Sequence, residues 1–403
     1  MTVQWTWSGP RGPSKTAGVA LTQLHISHVR NLQQVKLQDL QAVNVFYGCN
    51  GSGKTSLLEA IHLLGMARSF RGSSIKSLIT HDEQSCTVFG TTAPLPPAAA
   101  PDAGPGVGLT MPLGVQRNRT GQAQIKIGGR IVRTVAELAE QFPLQVITGD
   151  SFGLLTGPPG ARRRYLDWGV FHVEQRFFAE WQRFQRGIKQ RNQLLRRGKV
   201  SEQEIAIWTR DLADTGTSIN EYRQHYFQLL APRFIGIMAG LAPSLDALEL
   251  CYRQGWDKRL SYFEALREGL ATDLEQGYTH TGPQRGDIKV TSGGHLASET
   301  LSRGQQKLVV CGLKLAQGQL MSEMGHGKCT YLIDDLPSEL DHAHSQQICA
   351  LLASMEAQVF ITCVDHEEIR SVWPTAGELA MFHVEHGTVN RYSENLRPES
   401  IDE

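Results

Sequence analysis

Cysteine is scarce in this sequence of 403 residues, and its spacing does not suit a structural role. The seven cysteines are odd in number and include no C-x-x-C pair, which argues against a disulfide framework and against a structural zinc site. No run of about 18 apolar residues occurs, so we expect no membrane-spanning helix. Residues 1–18 also lack the apolar stretch of a signal peptide. We therefore expect a cytoplasmic protein without a membrane partner.

An excess of charge of either sign is missing too. The 40 Lys and Arg residues balance the 40 Asp and Glu residues, so a nucleic-acid surface would have to come from a local basic patch. The hydrophobic share of 40% is ordinary for a globular protein, and it excludes a chain that is largely disordered.

The hydrophobic spacing changes along the chain. Alternation at Leu21–Val29 and Val35–Leu40 predicts paired strands, whereas helical spacing prevails over 161–240 and α/β character returns from Asp287. We expect one α/β domain built from both ends of the chain, with a mainly helical lobe inserted in it. The expected parts are a flexible extension at 1–18, the α/β domain at 19–155 and 286–395 with a flexible Pro/Ala-rich loop at 91–108, the helical lobe at 156–285 and a flexible terminus at 396–403.

A glycine-rich motif follows an apolar strand at Val43–Tyr47. The motif reads GCNGSGKT and matches the pattern G-x-x-x-x-G-K-[ST] between a strand and a helix. In such a loop, backbone N–H groups turn toward phosphate oxygens, Lys54 reaches the β- and γ-phosphates, and the hydroxyl of Thr55 holds Mg²⁺. The motif therefore predicts ATP and Mg²⁺ as ligands. The predicted ATP-binding residues are Gly48, Cys49, Asn50, Gly51, Ser52, Gly53, Lys54, Thr55 and Ser56.

Two carboxylates end a second apolar strand, Tyr331–Ile333. In a P-loop protein the first of them, here Asp334, belongs to the Mg²⁺ shell, and the next one, Asp335, orients or deprotonates the attacking water. We therefore predict Asp334 as a metal ligand together with Thr55, and Asp335 as the catalytic carboxylate.

The segment LSRGQQK opens an apolar helix at Leu308–Leu315. A serine and a glycine at a helix N-terminus can form an anion site from backbone N–H groups and a hydroxyl. A simple helix cap is the alternative. The predicted anion-binding residues of this segment are Ser302, Arg303, Gly304 and Gln305.

Basic side chains accumulate at residues 181–201, where the sequence has no acidic residue. Neutralising DNA phosphates requires a surface of one sign, so this stretch predicts DNA contacts at Arg186, Lys189 and Arg191. A helix face that is merely solvated is the alternative.

The segments GCNGSGKTSLLEAIHLLG, LSRGQQK, LKLAQG and LIDDLPSELD together resemble the bacterial RecF family of recombination mediators, in the SMC/Rad50-like branch of ABC-type ATPases. Shorter similarities occur at Val29–Asn31, Ser69–Arg71 and Gly157–Asp167. The resemblance implies an α/β fold, namely a P-loop ABC-type ATPase head with an inserted mainly α-helical lobe.

The resemblance also implies a homodimer that forms head to head when ATP binds. The P-loop and Asp334 of one subunit would enclose a nucleotide together with the signature Ser302–Gln305 of the other. The loop that carries Ser338 and Asp341 would touch the partner subunit. Because many ABC ATPases have Glu where this chain has Asp335, the shorter side chain predicts slow hydrolysis. The resemblance further implies that DNA stimulates this hydrolysis and that it acts as a switch.

The same resemblance implies a function in recombinational gap repair. The family binds DNA at gaps or at single-strand/double-strand junctions and helps to load RecA. RecR is the expected partner, RecO is a second candidate, and RecA is an indirect partner. Replication restart and SOS induction would depend on this activity.

Some assignments stay open at this point. The glutamine that contacts Mg²⁺ in many relatives is not evident in Ile147–Asp150, and the switch position falls to His366, Thr362 or Asp365. A transport-type ABC ATPase subunit is one alternative function, but it would carry P-loop and signature without a helical lobe between them. An OLD-like DNA-processing ATPase is another, and it would need a further cluster of acidic metal ligands.

Overall fold

The computed structural model describes residues 19–72, 74–94, 110–198, 201–245, 247–375 and 379–392. The predicted extension at 1–18, the predicted terminus at 396–403 and positions 95–108 of the predicted loop lie outside these residues. The chain forms two compact units. The first is drawn from residues up to Gly149 and from Met321 onward, and the second spans Asp150–Leu320.

Strands and helices are distributed over the chain as follows. The strands are β1 (Val19–Val29), β2 (Leu32–Leu37), β3 (Val43–Tyr47), β4 (Ser85–Pro94), β5 (Met111–Asn118), β6 (Ala123–Ile127), β7 (Arg130–Val132), β8 (Leu144–Ile147), β9 (Leu248–Arg253), β10 (Asp287–Ser292), β11 (His295–Leu296), β12 (Thr330–Ile333), β13 (Val359–Cys363), β14 (Leu379–Glu385) and β15 (Thr388–Arg391). The helices are α1 (Lys54–Met66), α2 (Val135–Gln141), α3 (Pro159–Val173), α4 (Phe177–Arg197), α5 (Glu202–Leu241), α6 (Tyr262–Glu268), α7 (Leu270–Gln276), α8 (Ala297–Thr300), α9 (Arg303–Glu323), α10 (Leu336–Glu339), α11 (His342–Ser354) and α12 (His366–Val372). In the described part of the chain, no helix has both the length and the apolar character needed to cross a membrane.

A mainly parallel sheet forms the centre of the first unit, in the order β15-β14-β3-β13-β12-β8. Almost every residue of β3, β12 and β13 is buried, as expected for strands that are covered on both faces. Strand β13 pairs in parallel with β3 on one side and with β12 on the other. The carboxyl ends of these three strands therefore lie side by side at one edge of the sheet.

The remaining strands of the first unit form an antiparallel sheet with the order β2-β1-β4-β5-β6-β7. The predicted pairing of the first two strands is confirmed, since β1 pairs with β2. Helix α1 is buried along most of its length and shares one hydrophobic core with side chains of both sheets. In that core Phe46 of β3 packs against Phe360 and Phe382, with ring centroids 6.1 and 5.5 Å away. This packing fixes the helix that begins at Lys54.

Strand β4 extends further than predicted. Residues 91–94 were expected to begin the flexible loop, but Thr91 and Thr92 pair with Pro112 and Met111 of β5. Threonine is β-branched and suits a strand, so the ladder continues into the segment whose composition predicts a loop. The loop prediction is therefore wrong for these four positions.

The second unit combines α3–α7 with the sheet β11-β10-β9. It is larger than the predicted helical lobe because it also holds β10, β11, α8 and most of α9. Arg162 of α3 donates two hydrogen bonds, of 2.7 and 3.1 Å, to the carboxylate of Asp287 in β10. Tyr165 of α3 donates to the carbonyl oxygen of Leu313 in α9 at 2.7 Å. These bonds attach the later elements to the helices that precede them.

One predicted DNA contact lies in the interior of the second unit. The side chain of Arg191 on α4 is fully buried, with its guanidinium 2.5 Å from Asp273, and it donates to Thr279 at 2.6 Å. A buried and paired guanidinium cannot reach a phosphate, so the prediction for Arg191 is wrong. Arg186 and Lys189 on the same helix are exposed.

We expect Arg191→Ala to destabilise the protein by about 3–5 kcal/mol, because it removes the buried guanidinium that neutralises Asp273 and leaves that carboxylate with His280 as its remaining partner. Urea unfolding followed by tryptophan fluorescence measures the loss. Arg186→Ala on the exposed face of the same helix is the matched control, and it should change stability by no more than about 0.5 kcal/mol. Equal unfolding midpoints for the two variants would contradict a structural role of Arg191.

Candidate nucleotide-binding site

The glycine-rich loop between β3 and α1 has a backbone conformation that favours glycine. Gly48, Gly51 and Gly53 have φ angles of 145°, 81° and 121°, which residues with a side chain rarely adopt. A Cβ atom on Gly48 would lie 2.3 Å from the carbonyl oxygen of Val384 in β14. The loop is thus packed closely against the neighbouring strand, and position 48 requires glycine.

Two polar side chains of this loop and its helix are buried. The ammonium Nζ of Lys54 donates to the carbonyl oxygens of Gly48 and Cys49 at 2.6 and 3.0 Å, so the cation lies within the loop. The hydroxyl of Ser52 is buried and has no hydrogen-bond partner among the described residues. Because an unsatisfied buried hydroxyl is costly, the arrangement fits a loop whose bonding is completed by an anionic ligand.

The carboxylate of Asp334 meets this loop at the sheet edge. The hydroxyl of Thr55 donates to it, with Oγ1 3.0 and 3.2 Å from the two carboxylate oxygens. Thr362, next to the end of β13, donates to the same carboxylate at 2.8 Å and accepts from the backbone N–H of Asp335, also at 2.8 Å. The structure thus brings together the two side chains predicted to hold a metal. A hydroxyl and a carboxylate are oxygen ligands of the kind that Mg²⁺ prefers.

Asp335 has an uncommon conformation beside this cluster. Its φ angle is 54°, in the left-handed region that few residues other than glycine adopt. Its Oδ1 atom is buried and has no hydrogen-bond partner within the described ranges. Strained backbone and unsatisfied buried carboxylates are concentrated at functional sites, so Asp335 remains the candidate catalytic group.

Asn31 also contributes to this site, although none of the sequence motifs predicted a role for it. Its Nδ2 donates to the carbonyl oxygen of Ser52 at 3.1 Å, and its Oδ1 accepts from the hydroxyl of Ser56 at 2.8 Å. The side chain therefore joins the loop to the first turn of α1. The short family similarity at Val29–Asn31 was the signal that pointed to this position.

A buried ion pair supports the same helix. Glu59 is completely buried on α1, and the guanidinium of Arg30 donates to its two oxygens at 2.8 and 2.9 Å. Ser69 donates to the same carboxylate. Hydrogen bonding to Glu59 raises the pKa of Arg30 above its usual value. The similarities at Val29–Asn31 and Ser69–Arg71 thus belong to one cluster beneath the loop.

The three candidates for the switch position have different environments. Thr362 contacts Asp334, as described above. Asp365 caps helix α12 by accepting from the backbone N–H of Glu367 at 3.0 Å. The ring of His366 packs against Tyr47, with ring centroids 4.6 Å apart. Contact with Asp334, the carboxylate predicted to bind the metal, therefore favours Thr362.

The loop after β12 carries the two residues predicted to touch a partner subunit. Ser338 and Asp341 are both exposed. Asp341 caps helix α11 by accepting from the backbone N–H of His344 at 2.9 Å, and this bond lowers the pKa of the Asp341 carboxyl. In the same loop, Glu339 Oε1 lies 2.8 Å from where a Cβ on Gly149 would be. Gly149, in the stretch that lacks the expected glutamine, therefore adjoins this loop.

The predicted signature lies in the second unit, at the start of α9. Ser302 and Gln305 cap the helix reciprocally: Ser302 N–H donates to the Gln305 side chain at 2.9 Å, and Gln305 N–H donates to Ser302 Oγ at 3.3 Å. Ser302, Arg303 and Gly304 are exposed. Because the hydroxyl of Ser302 only accepts in this cap, its own hydrogen can be donated outward. The cap and the anion site are therefore compatible.

Comparison with known proteins identifies the family. The sequence profile of the RecF/RecN/SMC N-terminal domain family matches residues 20–390. Over 373 residues the chain is 47% identical to the DNA replication and repair protein RecF of Pseudomonas entomophila, which covers 93% of this chain and 98% of that protein. The chain belongs to the RecF family.

Other members of the RecF family are similarly related. RecF of Stutzerimonas stutzeri is also 47% identical, with 93% and 98% of the two chains covered. Among solved structures, that of the recombination mediator protein RecF-ATPrS in the RecFOR pathway is 25% identical, with a TM-score of 0.79 and 94% and 99% of the chains covered. An Smc head domain from Pyrococcus furiosus, at 14% identity and a TM-score of 0.56 over 93% and 96% of the chains, shares the fold.

These similarities confirm the predicted fold class, an α/β P-loop ABC-type ATPase head with an inserted helical lobe. Membership of the RecF family of DNA replication and repair proteins also sets aside the transport-type and OLD-like alternatives.

We expect Thr362→Val to lower ATP hydrolysis at least about tenfold, because a hydrogen bond to a charged group contributes about 1.5–3 kcal/mol. The substitution keeps the shape of the side chain but removes the hydroxyl that holds Asp334 and the backbone of Asp335. Thr362→Ser keeps the hydroxyl and is the matched control, with near wild-type hydrolysis. Steady-state phosphate release measures both variants. Equal rates for the Val and Ser variants would exclude a positioning role of the hydroxyl.

Proposed function

We propose that this protein is an ATP-dependent DNA-binding switch of recombinational gap repair. In this account ATP joins two copies of the chain on gapped DNA or on single-strand/double-strand junctions, and slow hydrolysis releases them. The observation that carries the proposal is the meeting of the P-loop hydroxyl of Thr55 with the carboxylate of Asp334, 3.0 Å apart.

ATP fits the loop described above. The N–H groups of Gly48–Thr55, the ammonium of Lys54 and the hydroxyl of Ser52 are donors suited to phosphate oxygens. The structural relative RecF-ATPrS supports a nucleotide of this class. Thr55 and Asp334 would hold Mg²⁺, which when bound neutralises charge on the β- and γ-phosphates.

Asp335 would orient the attacking water and accept its proton. Its buried Oδ1 has no other partner among the described residues, and its backbone is held by Thr362. An aspartate reaches less far than the glutamate of many ABC ATPases. We therefore propose a slow hydrolysis step that DNA stimulates and that times release rather than driving work.

The second half of the site would come from another copy of the chain. Ser302 presents a hydroxyl and a helix N-terminus, which together attract the γ-phosphate that ADP lacks. Arg303, Gly304 and Gln305 extend the same surface. The exposed Ser338 and Asp341 would lie in the dimer interface.

We expect Lys54→Ala to lose ATP binding, because the variant removes the loop's fixed cation. We expect Ser302→Arg to bind ATP as a monomer but to fail in dimerisation and hydrolysis, since a long cation fills the place of the facing phosphate. Mixing the two proteins should restore part of the ATPase activity, because each heterodimer has one composite site with both lesions and one with neither. Steady-state hydrolysis of the mixture is the measurement.

A matched control for the mixture replaces the Ser302→Arg protein by a chain with both Lys54→Ala and Ser302→Arg. No pairing with the Lys54→Ala protein then yields an intact site, so activity should stay at background. If heterodimers form in the first mixture and hydrolysis does not return, either Ser302 does not act across the interface or both composite sites must hydrolyse ATP together. Loss of ATP binding by the Ser302→Arg monomer would likewise contradict the composite site.

The exposed face of α4 is the proposed contact for duplex phosphates. Arg186 and Lys189 lie on this face with Arg196 and Arg197, at helical spacing and opposite the buried Phe184 and Leu195. We further propose that the DNA-bound dimer works with RecR, and with RecO as a second candidate, to help load RecA, and that replication restart and SOS induction depend on this activity.

We expect the double variant Arg186→Glu, Lys189→Glu to weaken binding to a short duplex regardless of its sequence. The slope of log affinity against log salt should flatten by about 0.9 for each phosphate that the variant no longer neutralises. Fluorescence anisotropy over a salt series measures this slope. The double variant Lys36→Glu, Lys126→Glu changes two exposed lysines of the first unit and should leave the slope unchanged. An unchanged slope in the α4 variant would show that this face is merely solvated and does not contact DNA.

A further inference from the structure

A strongly basic groove lies in the second unit, and no residue of α4 lines it. Its cavity has a volume of about 1300 Å³, and segments from the start of α3, the end of β9, the loop after β9 and β10 line it. We call it the cationic groove and define it by five basic residues that line it: Arg163, Arg253, Lys258, Arg285 and Lys289.

The two carboxylates that also line the cationic groove are already neutralised. Asp287 accepts both hydrogen bonds of Arg162, at 2.7 and 3.1 Å. Asp257 is paired with Arg259 at 2.5 Å, and hydrogen bonds from this partner lower the Asp257 pKa to about 2. The two acidic residues that line the groove therefore do not neutralise its five basic residues.

The basic side chains of the groove lack acidic partners of their own. Among the residues that the structure describes, no ion pair involves Arg253, Lys258, Arg285 or Lys289. Arg253 and Lys289 project from the same face of neighbouring strands, since Arg253 pairs opposite Asp287 and Lys289 opposite Cys251. Asp287 lies directly opposite Arg253, but its carboxylate already accepts both hydrogen bonds of Arg162. The groove therefore keeps an excess of positive charge, which favours a polyanion that lies across it.

Arg163 extends the positive charge into the wall of the groove. It is half-buried and donates to the carbonyl oxygen of Gly286 at 3.0 Å. Burial and the nearby guanidinium groups of Arg223 and Arg285 lower the pKa of Arg163. The carboxylates of Asp287 and Asp167 act in the opposite direction, but Arg162 and Arg223 already pair with them. Arg163 therefore adds to the positive charge of the groove.

Aromatic side chains accompany the cations. Trp256 lines the groove and is half-exposed; its ring is supported by Tyr262, with centroids 4.7 Å apart. Arg285 lies over the ring of Tyr278 at 5.6 Å. Basic grooves with aromatic side chains bind single-stranded nucleic acids, because every unstacked base offers a face to an aromatic ring. Duplex DNA offers no such face except at its ends.

We propose that the cationic groove binds the single-stranded part of gapped DNA. Its five cations contact phosphates, and Trp256 stacks on a base. This proposal rests on the proposed function, and it adds to it a second DNA site whose preference for single strands complements the duplex phosphates on α4.

The test compares two double variants by fluorescence anisotropy with an oligothymidylate of about 15 nucleotides. Lys258→Glu, Lys289→Glu should weaken binding at low salt roughly tenfold or more, and should flatten the salt slope by about 1.4, since each neutralised phosphate of a single strand contributes about 0.7. Lys36→Glu, Lys126→Glu carries the same charge change outside the second unit and should bind as the wild type does. Both variants should keep wild-type ATP affinity and unfolding midpoints.

Three outcomes would overturn the proposal. One is an unchanged slope and affinity in the groove variant while the wild type binds DNA. Another is an equal loss of affinity for a blunt duplex, which would remove the preference for single strands. The third is tighter wild-type binding of an oligoglutamate of equal charge, which would assign the groove to an acidic protein segment. Failure of the wild type to bind any DNA would instead contradict the proposed function itself.

Discussion

The contact between Thr55 and Asp334 depends on the parallel pairing of three strands. Strand β13 lies between β3 and β12, and Ile361 pairs with Val45 on one side and with Ile333 on the other. In this register the glycine-rich loop, Thr362 and Asp334 follow directly at one edge of the sheet. A slip of one residue in either pairing would turn the side chains to the other face. The site therefore depends on the buried register of the central sheet.

The sequence predicted the parts of this site that have a strict pattern. A loop that must turn backbone N–H groups inward needs glycines at fixed positions, so Gly48–Thr55 could be recognised without the fold. Thr362 and Asn31 could not be found in this way, because a threonine beside a strand and an asparagine in a turn are common. Their roles arise only when the sheet brings distant segments together. Glu59 is similar, since an acidic residue on a helix usually faces solvent.

The error at Arg191 shows where charge alone misleads. Arg191 follows Phe184 by seven residues and precedes Leu195 by four, so it lies on the apolar face of α4 rather than on the basic one. Helical spacing carried this information, whereas the count of basic residues did not. The net charge of zero does not show this difference, because an arginine in a buried ion pair and an exposed lysine of the cationic groove each count as one positive charge.

The central claim is that ATP completes its own binding site by joining two copies of the chain. Sedimentation velocity of the wild-type protein tests this most directly, with Mg²⁺ and either ATP, ADP or no nucleotide. The account predicts a dimer with ATP and a monomer with ADP or without nucleotide, because only ATP presents the γ-phosphate to Ser302. The same sedimentation coefficient under all three conditions would contradict it.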